Sequence, residues 1–178
     1  MSYISMTEYE TASAAVKAEY DGQAAKHGRI TNMKRTLLHS IPAFKAYMEW
    51  YTLFDLIEPF IGKRGLWLFS YSISAENDCL ICSTFFRKIL IDCGENPDSL
   101  TLSEQEHLLW GFGREIAKNP HKIPQEIYDK LAEFYDEEQR VLLIAFAGLM
   151  AATNLFNTVA KVPLDEILQN YRKDKNNG

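Results

Sequence analysis

Apolar side chains recur three or four positions apart along almost the whole chain, and no run alternates apolar with polar residues as a half-buried strand does. With only 9 Gly and 6 Pro in 178 residues, few signals interrupt that rhythm, and it predicts an all-α fold. The first helix spans about Thr7 to Lys26 and stops at His27-Gly28. A short segment from Thr31 follows, and Pro42 starts a third helix that Pro59 and Gly62 break. A fourth stretch runs from Arg64 to Ser74 and leads into the polar patch Glu76-Asn77-Asp78. The fifth helix covers Cys79 to about Asp92, with Gly94 as its C′ residue. Ser103 and Glu106 form a capping box for the sixth, which Pro120 ends. Pro124 opens a short helix to Phe134, Asp136 caps a long apolar one to about Lys161, and a last short helix follows Pro163.

No composition shift, linker or fixed-period repeat divides residues 1–178, so one domain is expected, with a frayed polar tail at 172–178. The longest uncharged stretch, Val141 to Ala160, is long enough to cross a bilayer. Thr153, Asn154, Asn157 and Thr158 interrupt it, and no companion segment exists, so it reads as the central helix of a bundle and no membrane is expected. A net charge of -5 lacks the positive field that draws a protein to phosphate backbones, which argues against nucleic acid as a partner. The N-terminal MSYISMTEYE has neither a basic nor an apolar signal region, so a cytoplasmic location and reduced thiols are expected.

The chemistry centres on the three cysteines, Cys79, Cys82 and Cys93. Cys79 and Cys82 form a C-x-x-C pair, CLIC, directly after a helix cap expected at Asn77 or Asp78. A helix N-terminus offers unpaired amides and a partial positive charge that stabilise a thiolate, the reactive form of cysteine. Three residues apart on a helix, two side chains share a face with Cβ atoms roughly 5 to 6 Å apart, so a reversible disulfide is feasible after modest distortion. Cys93 lies about 16 Å further along and reads as a buried helix-end thiol. Structural zinc takes four ligands, and no second C-x-x-C is present; His107 and His121 are the remaining recruits. Two small buried residues in a helix are the other bland reading. No cofactor is called for.

The segment SAENDCLICSTFF, Gly94 beyond it, LTLSEQEHLLWGFGREIAKNPHKIP and FAGLMAATNLFNTVAKV together resemble the carboxymuconolactone decarboxylase family in its AhpD-like alkylhydroperoxidase branch. GRITNMKRTLLHSIPAFKAYMEWY is similar to the segment that precedes the motif in peroxidase-related members. The resemblance covers most of the chain. It implies an all-α fold whose helical hairpin carries the C-x-x-C, assembly into a homo-oligomer (trimer or hexamer), and reduction of organic hydroperoxides in an antioxidant role. By the same resemblance Cys82 is the peroxidatic residue that becomes a sulfenic acid, Cys79 resolves it to a disulfide, and a lipoyl- or thioredoxin-type donor recycles the pair.

The family pattern also places a Glu twelve residues before the first Cys and a His four after the second, as a proton relay. Here those positions hold Trp67 and Phe86, which carry no transferable proton. Candidate stand-ins are Glu76 as a base, Tyr71 and His107, each with an ordinary alternative as a capping acid, a packed aromatic and a polar-face residue. Trp67 and Phe86 read as core aromatics, or else as the wall of an apolar pocket beside the thiols. Two functions follow: a thiol-disulfide peroxidase, or an oligomeric binding or redox-sensing protein that has lost peroxidase chemistry with its relay. Decarboxylation of a lactone acid is a third and weaker reading, since that branch does not depend on a C-x-x-C.

Overall fold

Capping side chains set most of the helix boundaries. In the computed structural model, which describes residues 2–173, Ser13 accepts a hydrogen bond from the Val16 amide and opens α1 (Ala14–His27), which Gly28 ends at φ 74°. The helix starts later than Thr7, because the Thr7 amide is committed to a distant carbonyl, that of Arg35, at 3.1 Å. Upstream, the Tyr3 and Ile4 amides both donate to the Ala160 carbonyl, so the first residues are strapped to the end of the chain's long apolar helix. Thr31 caps α2 (Asn32–Leu37) and Ser40 caps α3 (Ile41–Glu76), with Pro42 in its first turn.

The break expected at Pro59 and Gly62 is present: α3 is two helical stretches that meet at a kink at Gly62. Pro59 supplies no amide to the helical ladder, and Gly62 takes φ 72°, ψ 157°, a region open in practice to glycine. Beyond a tight turn come α4 (Leu80–Asp92), α5 (Glu104–Lys118), α6 (Gln125–Phe134), α7 (Glu137–Val159) and a 3-10 helix, Glu166–Tyr171. The capping box at Ser103 and Glu106 forms as expected, and Asp136 forms a second one with Gln139. No strand occurs among the described residues. Of the tail expected to fray, residues 174–178 lie outside the described residues.

The C-terminal half of α3 packs between α5, α7 and α4. Phe69 stacks on Phe112 of α5 and on Phe146 of α7, each at a centroid distance of 6.1 Å, and all three rings are buried. Trp67 and Phe86 belong to this same core, Trp67 at its partly buried edge and Phe86 inside. A smaller cluster of Leu37, Leu38 and Phe44 joins α2 to the start of α3.

The long apolar helix α7 is not buried all round. Leu143, Phe146, Ala147, Met150, Thr153, Asn154 and Asn157 face inward, whereas Val141, Ile144, Leu155 and Val159 are 54% to 65% exposed. By length and composition α7 could cross a membrane, and 33% of its most apolar stretch is buried. Its inner side packs on α3. Periodicity distinguishes apolar from polar positions; it does not say that an apolar face is covered by the same chain.

Sequence periodicity also passes over Lys34. Its ammonium group is buried and donates to Gln23 Oε1 and Tyr51 Oη, both at 2.8 Å, with no carboxylate of the described residues bonded to it. Burial, helped by Arg29, lowers its pKa from 10.5 to about 8. A folded value below the unfolded one means that the Lys34 charge destabilises the fold fully below pH 8, and that this cost fades as pH rises from about 8 to about 10.5. Urea unfolding of wild type and Lys34→Met is therefore expected to show a stability difference that moves in favour of wild type across that interval. A flat difference would show that Lys34 titrates normally.

A dithiol at the start of the fourth helix

The hairpin between α3 and α4 is closed by backbone bonds from Asn77 to Ile73, Asp78 to Ala75 and Cys79 to Ser74, of 3.0 to 3.1 Å. Asp78 adopts φ 49° to make the turn. Cys79 itself, rather than Asn77 or Asp78, therefore occupies the N-cap of α4, at φ -81°, ψ 100°. Its carbonyl receives the Ser83 amide at 2.9 Å and the Ser83 hydroxyl at 2.8 Å, which fixes the first turn.

Both thiols of the pair are free and buried, Cys79 at 1% and Cys82 at 7% exposure. The Cys82 thiol donates toward Cys79 and is the largest influence bringing the Cys79 pKa down from 9.0 to about 7. Burial opposes this; the amides of Cys82 and Ile81 and the side chain of Asn157 assist it. Cys82 is pushed well up, first by the same hydrogen bond to Cys79, then by burial and by the neighbouring negative charge. As pH rises through about 7 the pair thus gives up its first proton from Cys79 and keeps the other on Cys82.

Asn157, on the inner face of α7, donates from Nδ2 to Cys82 Sγ at 3.2 Å. One turn earlier Asn154 accepts from Ser74 Oγ at 3.3 Å. Both asparagines are almost wholly buried. In the sequence they stand out only as polar residues interrupting an apolar helix, and their contact with Cys82 spans 75 positions, which spacing does not reveal.

The other candidates lie elsewhere. Glu76 accepts from Arg114 Nε at 2.9 Å, so its carboxylate is held by an exposed arginine and contacts neither thiol. Tyr71 is a buried ring set edge-on to Trp110 at 5.6 Å. His107 is exposed on α5. Cys93 is exposed at the C-cap of α4, not buried, because the helix ends there at the surface before Gly94. Among the described residues no group of three or more His, Cys, Asp and Glu side chains is placed to hold a metal ion.

No family model and no curated protein matches the sequence. Solved structures match the fold. The debrominase Bmp8 superposes with a TM-score of 0.73 at 18% identity, covering 94% of this chain and 95% of that one. A peroxidase-related protein from Silicibacter sp. TM1040 gives 0.72 at 11% identity, over 94% and 96% of the two chains. The alkylhydroperoxidase AhpD core of a peroxidase-related protein from Ralstonia eutropha JMP134 gives 0.72 at 18% identity, over 94% of each. The chain has the AhpD-like fold, and its C-x-x-C stands at the start of the second helix of a hairpin.

Proposed function

We propose that this chain is a dithiol oxidoreductase that reduces organic hydroperoxides through Cys79 and Cys82. The observation that carries the reading is the pair of free, buried cysteines at the start of α4, Cys79 at its N-cap and Cys82 within its first turn, the latter held by Asn157. Cys79 stands where a base is needed, so the pair does without the Glu and His that Trp67 and Phe86 replace. Against the resting preference, a minor form of the singly ionised pair carries the proton on Cys79, and in it the Cys82 thiolate attacks the terminal oxygen of the hydroperoxide. A sulfur–oxygen bond forms, the oxygen–oxygen bond breaks, and the leaving alkoxide takes the proton from Cys79. Cys79 then attacks the sulfenic sulfur; the disulfide forms, and hydroxide leaves as water with a proton from solvent. Sulfur is oxidised by two electrons and the peroxide is reduced by two. A lipoyl- or thioredoxin-type dithiol returns the pair to its starting state.

Prereduced protein mixed with cumene hydroperoxide in a stopped-flow instrument tests this. Rapid peroxide loss with a Cys79–Cys82 bond mapped by mass spectrometry supports it. Loss no faster than with a free thiol overturns it in favour of a binding or redox-sensing role. The Bmp8 match favours one further reading, in which the same two electrons replace bromine by hydrogen on an aromatic ring and release HBr. Bromide release from 2,3,4-tribromopyrrole, the compound held by a cysteine-to-alanine form of Bmp8, separates that reading from the first.

Assembly into a homo-oligomer is part of the proposal. Val141, Ile144, Leu155 and Val159 make one apolar stripe along the outside of α7, and a second copy of the chain is its proposed cover. Leu155→Glu is expected to lower the mass measured by light scattering toward that of one chain; an unchanged mass would place the contact elsewhere.

A further inference from the structure

Inside the molecule, on the side of α7 that meets Cys82 and Ser74, two amide groups are only half used. Asn157 gives Nδ2 to the Cys82 sulfur, while its Oδ1 is buried without a hydrogen-bond partner. Asn154 gives Oδ1 to Ser74, while its Nδ2 is buried without one. Side chains three apart on a helix share a face, so α7 presents an unmet acceptor and an unmet donor side by side. A buried polar group without a partner costs free energy that a neighbour of matching polarity restores. Alkyl hydroperoxides have the complementary pattern: a terminal O–H that donates and, one bond away, an oxygen that accepts.

We propose that Asn154 and Asn157 form the subsite that receives the –O–O–H end of the substrate. Asn157 Oδ1 accepts the hydroperoxide O–H, and Asn154 Nδ2 donates to the oxygen that leaves as alkoxide. Asn157 Nδ2 holds the attacking sulfur beside them. As the oxygen–oxygen bond breaks, negative charge grows on the oxygen facing Asn154, so that bond strengthens toward the transition state. This inference rests on the peroxidase reading and adds a substrate-binding function for two residues outside the cysteine motif.

Two oxidants separate the possibilities. Cumene hydroperoxide carries the –O–O–H group; diamide oxidises dithiols to disulfides without it. In Asn154→Leu, and in Asn154→Ala should the leucine not fold, the rate constant with cumene hydroperoxide is expected to fall about tenfold or more, and that with diamide to stay within about twofold. No fall, or an equal fall with both oxidants, overturns the subsite and leaves the peroxidase reading standing. Wild type reacting with the hydroperoxide no faster than a free thiol overturns both. A binding readout covers the case in which neither variant folds. In the inert Cys79→Ser/Cys82→Ser chain, tert-butyl hydroperoxide is expected to shift the Asn154 side-chain amide resonance saturably; no shift overturns the subsite.

Discussion

In a Cys82→Ala protein, hydroperoxide turnover is expected to drop by about four orders of magnitude or more, the scale seen when one member of a cooperating catalytic group is removed. The ionisation of the remaining Cys79 thiol is expected to move upward at the same time. Its low value, about 7, owes most to the hydrogen bond from Cys82, and alanine supplies no donor. Thiolate absorbance near 240 nm against pH reports the midpoint directly. Wild type is expected to ionise its first thiol near pH 7, with alkylation by iodoacetamide rising through the same interval. A midpoint that stays near 7 in the alanine protein would assign the effect to the helix amides of Ile81 and Cys82 instead. Cys79→Ser makes the reciprocal test. Cys82 loses the neighbouring charge that pushes its pKa up and also loses its resolving partner, so it is expected to oxidise once and stop at a sulfenic acid that dimedone traps.

The second large effect concerns the seam between α3 and α5. Gly113 is buried there, and a Cβ at that position would sit on the Ser72 hydroxyl and 3.1 Å from both Ile73 Cγ1 and Phe69 Cδ2. Phe69 is one of the stacked rings of the core, so the seam has little room to open. Gly113→Val is expected to cost about 3 kcal/mol, the upper range for overpacking, and to lower Tm by roughly 6 to 12 °C in a chain of this size. Gly113→Ala should cost less, since alanine regains about 1 kcal/mol of helix propensity. Ser72→Ala removes the hydroxyl but leaves the contacts with Ile73 and Phe69. In that background the cost of Gly113→Ala is expected to fall by about half, and urea unfolding of the four proteins of the cycle measures the coupling. Equal costs in both backgrounds would show that Ser72 is not the obstacle.

What was legible in the chain was local. Ser103 with Glu106 and the Asp136 cap announce their helices because both partners of each bond lie within one turn. Gly28 and Gly94 mark helix ends because φ near 80° suits glycine. Features decided by distant partners were not legible. Thr7 is as good a cap as Ser13 by residue type, and only its bond to Arg35 explains why the helix does not begin there. Cys79 becomes the cap because Asp78 absorbs the reversal of direction, whereas the polar patch alone pointed to Asn77 or Asp78. At the candidate site the C-x-x-C declared itself, whereas spacing brought Glu76 within reach of neither thiol, and Arg114 of another helix holds its carboxylate. Asn154 and Asn157 were visible in the sequence as oddities in an apolar helix; their meaning depended on which helix lies opposite.

The strap formed by the first residues bears on this in a mechanical sense. Tyr3 and Ile4 both tie to the carbonyl of Ala160, which closes α7 one turn beyond Asn157. The beginning of the chain therefore acts as a doorstop for the end of the helix that carries the asparagine pair. Trimming those residues would deprive the Ala160 carbonyl of its two donors and let the last turn of α7 loosen, and Asn157 is the residue that would swing.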